Sequence, residues 1–128
     1  MQYIKYFILF LLIISCAHAQ WQGSDRKMPA IGVLKGSISD STSGAKIEYA
    51  SVTLISLRSN QIVSGALSNK KGEFHIKEIP LGRYKAIVEF IGYKTQQFNP
   101  INIFPGQYGS IEQNLGDIKL SVSSINLS

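Results

Sequence analysis

In "EFHIK" (Glu73–Lys77) and again in "RYKAIVEF" (Arg83–Phe90), apolar and polar side chains take turns on a period of two. That is the period of a β-strand with one wet and one dry face, because successive side chains leave a strand on opposite sides. Beyond the first twenty residues no stretch sustains a helical period. The chain is therefore restricted to sheet, and the remaining question is how many strands it makes.

Gly, Pro, Asn, Asp and Ser clusters cut the alternation into short pieces. "IGVLKGSISD" reads as a strand with Val33 and Ile38 inward, on either side of an irregularity at Gly36. "DSTSGAK" (Asp40–Lys46) is a turn. "YASVTLISL" sets Val52, Leu54 and Ser56 on one face and Thr53, Ile55 and Leu57 on the other. Apolar residues on both faces suit a central strand. "QIVSGALS" is another short strand, and "NKKG" (Asn69–Gly72) reads as a tight hairpin turn. Phe74 and Ile76 then point in, with His75 and Lys77 out. "IPLG" (Ile79–Gly82) is a second reversal, with Pro80 fixing φ and Gly82 freeing it. Tyr84, Ala86, Val88 and Phe90 follow as inward residues, with Arg83, Lys85 and Glu89 outward and Ile87 an apolar exception on the outer face. Gly92 predicts a bulge or sharp bend in a continuing strand. Turns are expected at Asn99–Pro100 and Pro105–Gly106, around a brief "INI". Leu115, Ile118 and Leu120 mark the last strand. About seven short strands predict an all-β fold, a small antiparallel β-sandwich.

The N-terminus is of a different kind. Lys5 precedes the apolar run "YFILFLLII", and Ala17 and Ala19 flank His18. A positive charge, a short apolar block and an Ala-x-Ala site predict a secretory signal peptide over residues 1–19, cleaved after Ala19. The run is shorter than the ~20 apolar residues a membrane-spanning helix needs. A competing reading takes "IISC" as a lipobox that would leave a lipidated Cys16 and tether the domain to a membrane. Residues 20–30 read as a polar lead-in containing Trp21, 31–121 as the sandwich, and 122–128 as a run-out. Losing residues 1–19 removes the only cysteine, so neither disulfide nor thiolate metal site is expected, and an apolar core must hold the fold. The formal charge is +5, or +4 without Lys5. The basic residues are interleaved with Glu73, Glu78 and Glu89, which argues against nucleic acid as a partner.

His75 and Glu78 have a spacing that invites a zinc reading. Zinc needs about three converging protein ligands, the exported chain holds no second histidine, and residues three apart on a regular strand face opposite ways. No metal site is expected. No Gly-x-Ser-x-Gly elbow is present, and Asp25, Asp40 and Asp117 lie in lead-in, turn and strand-edge contexts without an evident histidine partner. Tyr49, Tyr84, Tyr93 and Tyr108 are the residue type of a sugar platform, but the inward or bend positions of two of them favour packing. Lys77, Arg83, Lys85 and Lys94 are candidates for an exposed binding face. The expectation is no catalytic residue, no cofactor and no enzyme activity.

"GSISDSTSGAKIEYASVTL", "SNKKGEFHIKEIPLGRYKAIVEFIGYKT" and "LGDIKLS" resemble, in order and spacing, the carboxypeptidase-regulatory-like domain. The shared pattern falls on Asp40, Thr42–Gly44, Ala50–Leu54, Ser68–Phe74, Ile79–Tyr84 and Ile91–Tyr93. Ser68–Asn69 stands where the family usually has Thr–Asp, and Lys46–Ile47 where Pro–Leu is common. The resemblance implies a transthyretin-like (prealbumin-like) sandwich without catalytic residues. The leader and the "IGYKT" form are similar to copies in Bacteroidetes-type bacteria. There the domain forms the periplasmic N-terminal extension of a TonB-dependent outer-membrane receptor, and "LGDIKLSVSSINLS" would run toward the plug. Partners would then be envelope proteins, including the remainder of such a receptor. The alternatives are a free-standing exported module for glycan or protein, and an accessory domain of a metallocarboxypeptidase.

Overall fold

The alternation resolves into seven strands in a computed structural model, which describes residues 3–4, 26–107 and 109–124. They are β1 (Ala30–Asp40), β2 (Ser51–Ser56), β3 (Ile62–Leu67), β4 (Glu73–Pro80), β5 (Gly82–Glu89), β6 (Gln96–Ile103) and β7 (Glu112–Leu120). One sheet has the order β4-β1-β7 and the other β3-β2-β5-β6. This is the expected all-β sandwich. No helix among the described residues is long and apolar enough to cross a membrane. Lys5–Ala19 of the expected leader, with Cys16, lie outside the described residues, as do Trp21, Asp25 and Tyr108.

The core is made by the inward set of each strand. Leu34 and Ile38 of β1 meet Phe74, Ile76 and Ile79 of β4 and Ile118 and Leu120 of β7 on one side. Val52 and Leu54 of β2, Tyr84, Ala86 and Val88 of β5, and Ile101 and Ile103 of β6 close it from the other sheet. Burial of these side chains is the main favourable term in a fold without a cross-link among the described strands. Phe90, Tyr93 and Leu115 pack against the edge of this core.

Several local expectations are corrected. Val33 is only half-buried and Leu34 is the inward residue, in phase with Ile38. The irregularity expected at Gly36 lies on its partner strand. The β1–β7 pairing jumps from Lys35↔Asn114 to Ser37↔Asp117, with Gly116 at φ 70° inside the jump. Gly36 is a glycine for another reason: a Cβ there would sit 2.8 Å from the Phe74 ring.

The stretch Asn69–Tyr84 is a double crossing between sheets rather than a hairpin. Asn69 closes the first turn: its Oδ1 accepts from Lys71 N (2.9 Å) and Glu73 N (3.0 Å). Yet β3 and β4, on either side of that turn, belong to different sheets, and so do β4 and β5 on either side of Leu81. Local turn chemistry reverses a chain, but pairing is decided by which face each strand must bury.

Two further differences concern β6 and β7. Gly92, at φ 84°, sits in a turn between β5 and β6 rather than inside a strand. Asn99–Pro100 is not a turn: β6 runs through it, with a register shift opposite Tyr84–Ala86. Proline is tolerated because β6 is an edge strand, where a missing N–H need not break a ladder. Finally, β1 and β7 pair in parallel, whereas the other four pairings between these strands are antiparallel. No short loop joins this first and last strand, so nothing obliges them to run in opposite directions. Asp40 ends opposite Leu120, and the chain beyond is tied down by Lys94 N–H to Ser121 O (2.8 Å) and Ser123 N–H to Gly92 O (2.9 Å).

Candidate functional site

The outer face of the three-stranded sheet is polar because the alternation puts it there. Cross-strand pairing aligns His75, Lys35 and Asn114 in one row and Glu73, Ser37 and Asp117 in the next. These residues line an open groove of about 460 Å³. Asp117 accepts hydrogen bonds from Ser37 Oγ (3.1 Å) and Ser39 Oγ (3.1 Å to each carboxylate oxygen), with Lys46 Nζ at 3.8 Å. Desolvation pushes its pKa up, but the Ser39 and Ser37 hydroxyls and the Lys46 and Lys119 charges outweigh this and leave it lowered. Lys35 pairs with Glu112 and lowers that carboxyl, through a hydrogen bond first and charge second.

This arrangement does not assemble a nucleophile. The serine hydroxyls donate to Asp117, and among the described residues no hydrogen bond joins His75 to a serine or a carboxylate. His75 and Glu78 do share the outer side, contrary to the strand-parity expectation. Lys77 and Glu78 together oppose Val33, because the pairing steps from Leu34↔Ile76 to Gly32↔Ile79, and Glu78 takes φ 54°. The bulge adds one residue and restores the phase. Among the described residues no group of three His, Cys, Asp or Glu side chains is placed to hold a metal ion.

The other candidates disperse. Tyr84 is in the core, its hydroxyl donating to Pro80 O, and burial raises its pKa. Tyr49 is 66% exposed at φ 65°, so Tyr49 and Tyr84 share no platform. Lys77 stands on β4, whereas Arg83 and Lys85 stand on β5 of the opposite sheet and Lys94 in the loop after it. The crossing at Leu81 splits the four cations, and they form no single face.

Sequence reasoning missed the Asp40–Tyr93 link. Asp40 Oδ1 accepts from Thr42 N and Ser43 N, both at 2.8 Å, and Oδ2 accepts from the Tyr93 hydroxyl at 2.7 Å. The Ser43 N–H, then the Tyr93 hydroxyl and the Thr42 N–H, lower the Asp40 carboxyl from 3.8 to about 2. A carboxylate whose folded pKa is depressed stabilises the fold above its unfolded value, and that contribution is lost as pH falls through the folded one. The thermal midpoint should therefore drop between pH 4 and pH 2. Asp40→Asn, which keeps an acceptor for the turn, should drop less across that window, and Tyr93→Phe should fall between the two. Thermal unfolding at pH 5, 3 and 2 checks this; identical pH profiles for the three proteins would refute it.

The fold and surface together define a class: a two-sheet β-sandwich whose three-stranded sheet presents a hydrogen-bonded polar outer face. The chain belongs to the carboxypeptidase regulatory-like domain family, whose model matches residues 33–120. No curated protein matches it. Among solved structures it is similar to the Bacillus anthracis TIE protein, with 19% identity and a TM-score of 0.53, over 71% of this chain and 17% of that one. It is also similar to BcpA, the major pilin subunit of Bacillus cereus, at 16% identity and a TM-score of 0.51, over 72% and 30% of the two chains. The Klebsiella pneumoniae 5-hydroxyisourate hydrolase matches at 17% identity and a TM-score of 0.52, over 76% of this chain and 93% of that one. The chain spans under a third of the TIE protein and of BcpA. At these identities the likeness concerns the fold.

Proposed function

We propose that this domain is a non-catalytic, exported spacer and docking module at the N-terminus of a TonB-dependent outer-membrane receptor. Cleavage after Ala19 would deliver it to the periplasmic face of the outer membrane. The observation that carries the spacer reading is the parallel β1–β7 pair. Ala30 begins β1 at one pole of the sandwich, and Leu120 lies beside Asp40 at the other. An 11-residue strand is about 35 Å long. A chain entering at Ala30 and leaving after Leu120 therefore crosses the full length of the domain, which suits a link placed in line between two other parts.

The reading frame after Ser128 tests the setting. Plug and barrel sequence is the expected result. A stop codon would replace the proposal with a free-standing binding module, and an adjoining zinc-peptidase domain would replace it with a peptidase accessory.

A further inference from the structure

Each sheet has two open edges: β4 and β7 in one, β3 and β6 in the other. An unpaired edge offers a row of backbone N–H and C=O groups to any extended chain, and proteins usually block it with charge, proline or a bulge. Three of the four edges are blocked. β4 exposes Glu73, His75, Lys77 and Glu78 and carries the Glu78 bulge. β7 exposes Glu112, Asp117 and Lys119 and is broken at Gly116. β6 contains Pro100 and a register shift. β3, "IVSGAL", has neither charge nor proline, and its one bulge, at Val63, is confined to the start of the strand and leaves Ser64 to Leu67 regularly paired.

We propose that β3 is a docking edge that adds an extended segment of a partner protein as a fifth strand of the larger sheet. The inference deepens the docking role proposed above and rests on it. The backbone is oriented for this. Ser68 N–H donates to Ala50 O (2.9 Å) on the β2 side, so the alternation of an antiparallel ladder turns the N–H and C=O of Leu67 and Gly65 outward. Ile62 and Leu67 are 71% and 61% exposed, and an added strand would cover both. Ile62 pairs with Ile55, which extends the apolar outer surface inward across β2.

Charge selects the occupant. No carboxylate lies between Ser56 and Gly72, whereas Arg58 precedes β3 and Lys70 and Lys71 come after it, all three exposed. A second copy pairing antiparallel through the outward-facing Gly65 would bring Arg58 of one chain to the end of the ladder that holds Lys70 and Lys71 of the other, with no carboxylate between them. Like charges facing across strands are destabilising. The edge therefore fits a foreign segment whose apolar residues alternate and whose ends carry carboxylates.

The probe is the synthetic peptide Glu-Val-Thr-Val-Thr-Val-Glu, titrated into the chain while backbone amide resonances are monitored. Shifts should concentrate on Gly65 and Leu67. The peptide N-methylated at alternate amides, its lysine-ended analogue and the Leu67→Lys variant should each weaken binding at least about tenfold, since main-chain bonds supply the affinity and charge the selectivity. The exposed Leu67 position leaves the variant folded, which an unchanged thermal midpoint confirms. Absence of shifts in β3, or equal binding by the N-methylated peptide, overturns the docking edge. A wild-type dimer in sedimentation that Leu67→Lys dissociates overturns the choice of occupant. These outcomes do not depend on the reading frame beyond Ser128, so the edge and the receptor setting fail separately.

Discussion

Leu54→Ala should lower folding stability by about 2–5 kcal/mol, the range for deleting a fully buried leucine side chain. Leu54 is 0% exposed at the centre of β2, the strand flanked by β3 and β5. Its cross-strand partners are Ser64 and Ala86, both small, so no neighbouring bulk can move in to fill the void. The paired control is Ile62→Ala on β3, 71% exposed, which should change stability by no more than about 0.5 kcal/mol. Urea unfolding of the two variants measures both. Comparable losses would mean that the inward and outward faces of the larger sheet are wrongly assigned.

The second large effect is expected at Gly72, which closes the first crossing between sheets. It has φ 73°, and a Cβ there would collide with the carbonyl oxygen of Ile38. That same oxygen accepts from Ile47 N (3.0 Å), and Gly72 O accepts from Ile38 N (2.8 Å). An alanine would bear left-handed strain of about 1–2 kcal/mol and also force the corner away from β1. A loss of about 2 kcal/mol or more is expected. Gly44 supplies the comparison: φ is 72°, but nothing lies within 4 Å of its Cβ position, so Gly44→Ala should show the strain alone. Equal losses at the two positions would show that Gly72 does not press on β1.

Much of this fold is legible in the sequence because period-two alternation reports burial directly. Phe74, Ile76, Tyr84, Ala86 and Val88 are inward as their spacing implies. What the alternation does not carry is phase across an insertion and partnership between strands. Glu78 and Gly116 each add one residue to a strand, and a bulge leaves no composition signal stronger than a glycine or a left-handed non-glycine. The turn at Asn69–Gly72 looks like a hairpin because its local bonds are those of one. Its strands diverge only because Phe74 packs with Leu34 and Ile38 across from Val52 and Leu54, a long-range preference. The candidate surfaces fare similarly. Asp40 and Tyr93 stand 53 positions apart and meet only once the sandwich closes. The bare edge of β3 is visible as an uncharged string, but its place at a sheet margin is a matter of topology.

The side-by-side placement of the first and last strands has a mechanical consequence. Tension applied to the two chain ends would draw β1 and β7 past each other along their length. Every hydrogen bond of that ladder would be loaded in shear at the same moment, instead of opening one after another from an end. Resistance of this kind is set by the unfolding rate rather than by equilibrium stability. A pull on the flanking chain is thus borne first by the pairing that runs from Val33↔Glu112 to Asp40↔Leu120.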